Sequence, residues 1–196
     1  NLSVAATTRL TATLAVGGLL GFGLASRALS RGGSPFAMSA YGAMLGVPAF
    51  LGVIFAAPLL SPLLFAMGIL MIGFAAGLFG HGTLTAAMSL APSDQRGLAL
   101  GTWGAVQASA AGIAVAFGGI VRDVVGGLAT AGLGPWQMGP ATGYIAVYAI
   151  EVLLLLTTLA VLAPLMRRPH ARSVLTYASP AGMTNPPPGV VGRAEH

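Results

Sequence analysis

The stretch PLLFAMGILMIGFAAGLFGHGTLTAAMSL, residues 62–90, decides the fold. Its only ionisable side chain is His81, and it is longer and more apolar than a soluble core helix. About 20 apolar residues cross the ~30 Å hydrocarbon core of a bilayer as a helix, so this segment spans with tilt or with its ends emerging. Gly73, Gly77, His81, Thr85 and Ser89 recur at i, i+4 and so share one face, while Leu70, Met71, Phe74, Leu78 and Phe79 fill the others. In lipid, small residues let backbones approach and hydroxyls supply hydrogen bonds between helices. The stripe is where this helix is expected to meet protein or a bound cofactor.

The rest of the chain has the same character. With 56% hydrophobic and only 7% charged residues it falls outside the soluble globular class and within the polytopic membrane class. The 29 glycines follow no collagen period and lie within apolar segments, as close helix packing in a bilayer requires. Without cysteine there are no disulfides, no thiolate catalysis and no Cys-ligated metal or iron–sulfur site. The formal charge of +5 comes from arginine alone. Those arginines sit at segment ends and not on a soluble face interleaved with aromatics, so they read as topology and not as a nucleic-acid surface. The chain starts at Asn1, with neither Met nor a signal-peptide pattern, and reads as part of a longer protein.

Working outward from the central segment, five apolar stretches can be counted, at about 4–29, 36–57, 62–90, 98–121 and 141–165. The expected architecture is an all-α helical bundle of five transmembrane helices over 1–166, followed by a cytoplasmic, disordered tail over 167–196. Gly32-Gly33-Ser34-Pro35 stops the first helix and starts the second, and Ser93 or Asp94 is expected to cap the fourth. Arg122 and Asp123 are expected to close the fourth helix as paired interface anchors. They open a long Gly-rich connection that holds Trp136, a residue favoured at the membrane–water boundary. Arg27, Arg31, Arg96, Arg167, Arg168, Arg172 and Arg193 fall on one side of a five-span arrangement and Arg122 on the other. The tail is therefore expected in the cytoplasm and the N-terminus outside, and an odd span count with that start leads one to expect preceding helices. Gly17/Gly21, Gly42/Gly46, Gly73/Gly77 and Gly97/Gly101 are small-xxx-small pairs that together imply a tightly packed bundle, and Pro48 lies inside the second helix.

Gly97-Leu98-Ala99-Leu100-Gly101-Thr102-Trp103-Gly104-Ala105-Val106-Gln107-Ala108 resembles the PucC/LhaA family of light-harvesting complex assembly proteins of photosynthetic bacteria. Val53-Ile54-Phe55-Ala56-Ala57-Pro58-Leu59, Gly82-Thr83-Leu84-Thr85-Ala86-Ala87-Met88 and Gly139-Pro140-Ala141-Thr142-Gly143-Tyr144 agree with it in the same order. The resemblance implies a bundle similar to helices eight to twelve of a major facilitator transporter, in a bacterial inner or intracytoplasmic photosynthetic membrane. It also implies partners among antenna or reaction-centre subunits and the remaining N-terminal helices, with bacteriochlorophyll as the cofactor. The basic turn Ala25-Ser26-Arg27-Ala28-Leu29-Ser30-Arg31-Gly32 fits the cytoplasmic loop of such transporters but lacks its acidic residue.

Ionisable residues inside spans are costly and mark function by default. His81 can ligate the Mg of a chlorin whose flat ring uses the clearance at Gly73 and Gly77, or it can hydrogen-bond a neighbouring helix. Glu151, on one face with Tyr144 and Tyr148, can couple a proton, bind a pigment or partner, or pack in protonated or Arg-paired form. Arg9 is expected to snorkel, and Gln107 to bond between helices. No enzyme activity is expected, since prenyl transfer needs aspartate-rich sites and Asp94, Asp123, Glu151 and Glu195 are widely separated. Three functions stand: an assembly factor that handles pigment, a secondary transporter of a small molecule or pigment precursor, and a purely structural subunit of a photosynthetic complex.

Overall fold

Serine at an N-cap and proline in the following turn start two of the five helices, because the serine hydroxyl accepts an otherwise orphaned N–H and proline has none to lose. The computed structural model describes residues 3–132 and 141–167, apart from the side chains of 165 and 167. Within them lie α1 (Val4–Ser30), α2 (Pro35–Ala56), α3 (Pro62–Leu90), α4 (Arg96–Thr130) and α5 (Thr142–Arg167), with no strand among the described residues. Ser34 and Ser61 accept from the amides of Ala37 and Leu64 at 3.4 and 3.2 Å, and Ser3 caps α1 in the same way. Gly32, at φ +88°, makes the reversal between α1 and α2 that a side chain would disfavour. All five helices are long and apolar enough to cross a membrane.

Two expectations about α4 are corrected. The helix does not close at Arg122 and Asp123 but runs on to Thr130, 35 residues in all. Adjacent charges that pair with each other do not end a helix, and Gly126-Gly127 costs helix stability without breaking the hydrogen-bond ladder that apolar surroundings demand. The first positive-φ residue after them, Gly132 at +70°, follows where the helix stops. At 1.5 Å per residue α4 is about 52 Å long, well beyond the ~30 Å of hydrocarbon. Its N-cap is Gln95, without a side-chain cap bond, so neither Ser93 nor Asp94 serves.

The bundle is built around α3, which packs extensively on both α1 and α2 and less on α4. Its core is made of small side chains, with Ala25, Ala40, Ala43, Ala49, Ala75 and Ala86 buried and Leu78 the largest fully buried residue. Alanine and glycine at these positions bring helix axes together and gain dispersion contacts, the main attraction left where lipid is as apolar as the protein. Pro48 lies within α2 as expected. Trp136 and the tail after Arg167 lie outside the described residues.

Candidate functional site

The α1–α3 seam is reciprocal. A Cβ on Gly17 or Gly21 would strike the carbonyl oxygens of Leu70 and Phe74, and one on Gly73 or Gly77 those of Leu14 and Gly18. Four glycines thus place each backbone directly on the other, a geometry that supports Cα–H···O contacts. The clearance at Gly73 and Gly77 is filled by α1. Toward α2 the same helix uses Gly68, against Val53, and Gly82, against Ser39 and Pro35, while Gly42 of α2 receives Ala75 and Phe79. Gly46 faces the Leu155 side chain of α5. Gly97 and Gly101 of α4 have no atom within 4 Å of a built Cβ.

His81 sits one turn beyond Gly77 on the same face of α3. The imidazole packs on Phe22 of α1 with ring centroids 4.1 Å apart and planes tilted by 60°. Its Nδ1 is sealed from solvent and has no hydrogen-bond partner; no other buried side-chain polar atom among the described residues is left so. Nε2 is not sealed. The hydroxyls that share the stripe do not bridge helices. Thr85 donates to the His81 carbonyl at 2.8 Å and Ser89 to that of Ala86 at 2.9 Å, because a helical hydroxyl reaches its own backbone without ordering a second element.

The polar link between helices lies off the stripe. Trp103 Nε1 of α4 donates to Thr83 Oγ1 at 3.3 Å, while the Thr83 hydroxyl reaches back to the carbonyls of Phe79 and Gly80. An indole N–H buried in an apolar helix needs an acceptor, and that was the available signal for it. Beside this link, α3 and α4 border a wide-open apolar groove of about 560 Å³ lined by Ala87, Leu90, Leu98, Thr102, Trp103 and Val106.

Glu151 is half-buried on α5, and no hydrogen bond or ion pair joins it to His81 among the described residues. Tyr148, one turn earlier, meets Phe50 of α2 at 5.9 Å. Arg122 donates from Nε and Nη2 to the single Asp123 Oδ1, at 2.9 and 2.7 Å, and lies 5.6 Å over the Tyr144 ring, so the arginine clips α4 to the start of α5. Gly143 permits that approach, since a Cβ there would strike the Arg122 carbonyl. Arg9 and Gln107 are both exposed.

A family model described as PUCC protein matches residues 1–170. The chain belongs to the PUCC family. It is similar to Protein PucC of Cereibacter sphaeroides, 48% identical over 85% of this chain and 36% of that protein. Protein PucC of Rhodovulum sulfidophilum is 58% identical over 64% of the chain and 28% of its own length. A third relative, named as an uncharacterized protein in the puhA-bchM intergenic region of Rhodobacter capsulatus, is 45% identical over 85% of the chain and 35% of its own length. The chain spans about a third of the length of these relatives. No solved structure matches it. Five membrane-competent helices within a PUCC match make this part of a multi-pass membrane protein.

Proposed function

We propose that this chain is part of a non-enzymatic membrane assembly factor for bacterial light-harvesting antenna complexes, acting in the inner or intracytoplasmic photosynthetic membrane and handling bacteriochlorophyll there. The observation that carries this reading is the PUCC match along residues 1–170, together with relatives named PucC. The fold is compatible with it. Apolar side chains of α4 and α5, such as Ile113, Val115, Phe117, Leu153 and Val161, stand exposed and offer surface to lipid, to the rest of a longer protein, or to antenna and reaction-centre helices.

His81 and Glu151 are the residues proposed to contact pigment, because each places a titratable group inside a span. The test begins with the absorption spectrum of the gently purified protein, in which chlorin bands are expected. His81→Leu should leave insertion and protein level unchanged while antenna absorbance falls, and His81→Gln should lose less. Normal antenna in both variants removes His81 from the function. At Glu151, a Gln variant that works and an Ala variant that fails would identify hydrogen bonding in place of proton coupling. Substrate-dependent flux in proteoliposomes without bound chlorin would replace the whole reading with transport.

A further inference from the structure

α4 stands almost uncovered: none of its 35 residues is buried, and among the described residues a single hydrogen bond, from Trp103 to Thr83, joins it to α3. One side of the helix borders the groove beside α3. On the opposite side Gly97, Gly101, Gly104, Ala108, Ala111 and Val115 follow at alternating steps of four and three, the heptad spacing of a left-handed helix–helix seam. A Cβ built on any of these three glycines meets no atom within 4 Å, and Ala108, Ala111 and Val115 are exposed. Glycine inside a helix costs stability that only a closely approaching neighbour offsets. The α1–α3 seam shows that use in the same molecule, with its glycines set directly against backbone.

Gln107 gives this face a second, independent mark. It flanks the seam between Gly104 and Ala111, about 16 Å along α4 from Arg96 and so near the middle of the span. Its side-chain amide is exposed and has no hydrogen-bond partner among the described residues. Lipid tails offer it none, and polar side chains within spans face protein or a cavity that protein encloses.

We infer that this face of α4 is the seam for a transmembrane helix from another part of the same polypeptide, the part that corresponds to the remaining length of the relatives. Those relatives carry about two-thirds of their length outside the region that this chain matches, which is room for several more helices of the size seen here. A helix without a buried residue needs its cover for as long as it stays in the membrane. A helix on the same polypeptide supplies that cover at an effective concentration that a separate molecule must match by abundance. The heptad spacing sets the partner's geometry, an apolar helix crossing α4 at about 20°. It turns small residues toward the glycines and places a hydroxyl, amide or backbone carbonyl within reach of Gln107.

The inference goes beyond the assembly reading and does not depend on pigment. Its test is photo-cross-linking in the full-length protein, in its native membrane and with any other cysteines replaced. Ala105→Cys, exposed on the other flank of the seam, carries a benzophenone maleimide that lies beside the contact and not inside it. After illumination and digestion, the expected product has the mass of a monomer and joins Ala105→Cys to a peptide of the same polypeptide outside residues 1–196. Gly104→Leu in that background should lower its yield about fivefold or more, as overpacking of the seam requires, with helix content by circular dichroism unchanged. A yield close to the parent's would show that nothing packs on the glycines and would overturn the inference. If Gly104→Leu does not accumulate, the product from the parent decides by itself. A product within residues 1–196, one with the mass of a dimer, or adducts with lipid alone would each refute it. A product with an antenna polypeptide would refute it too, while leaving the assembly reading in place.

Discussion

Gly77→Ala is the most direct perturbation of the seam that positions His81. A Cβ there meets the Phe22 nitrogen at 2.7 Å and crowds the Gly18 carbonyl oxygen more closely still. Both are backbone atoms, so no rotamer change relieves the contact. Ordinary contact begins near 3.4 Å, so α1 must retreat from Phe22 by roughly 0.7 Å, in a packing that tolerates little slack. Overpacking of this kind costs about 1–3 kcal/mol, against about 0.5–1 kcal/mol that alanine returns in a helix interior. The two ranges bound the net loss at about 0–2.5 kcal/mol, and a contact with backbone that no rotamer relieves places it in the upper half. Gly80 supplies the control on the same helix, because a Cβ there meets nothing within 4 Å. Gly80→Ala should be neutral or stabilising by up to about 1 kcal/mol. The assay is SDS titration of the purified protein in mixed micelles, followed by circular dichroism, with both variants beside the wild type. If Gly77→Ala unfolds at the same or higher SDS fraction than wild type, the seam is not closed by backbone contact and the reasoning fails.

Three further predictions concern the other elements. Trp103→Phe and Thr83→Val should each cost about 0.5–1.5 kcal/mol and the double variant no more than the larger single, since one shared hydrogen bond is removed; losses that add in the same SDS titration would show the bond to be energetically idle. Asp123→Asn should leave the SDS midpoint essentially unchanged, because the pair is open, with side chains 44% and 68% exposed and screened by solvent, and a clear loss would mean that the α4–α5 clip matters more than its exposure implies. A cysteine at Ser179 should resist a membrane-impermeant reagent added to intact cells from the periplasmic side, as the arginine asymmetry requires; ready labelling there reverses the orientation.

The number of helices, and most of their ends, follow from the sequence alone, because they depend on local chemistry. Apolar length sets the spans, and Ser34-Pro35 and Ser61-Pro62 start α2 and α3 where capping predicts. The end of α4 is not legible in the sequence because a charged pair resembles a membrane boundary, whereas a helix stops where the backbone turns, at Gly132. Which small residues do the packing was not legible. Gly73/Gly77 and Gly97/Gly101 have the same spacing, yet the first pair is pressed against α1 and the second is bare, since i, i+4 spacing defines a face and says nothing of what stands opposite. Nor could the sequence join Trp103 to Thr83, 20 residues apart on different helices, or show that Thr85 and Ser89 bond to their own backbone. His81 stood out as the one ionisable group in α3, but the sealing of Nδ1 depends on where Phe22 of α1 lies across the seam. A residue's type and register are local properties, while the burial of a single atom is set by every element packed around it, and on that the chemistry of this histidine turns.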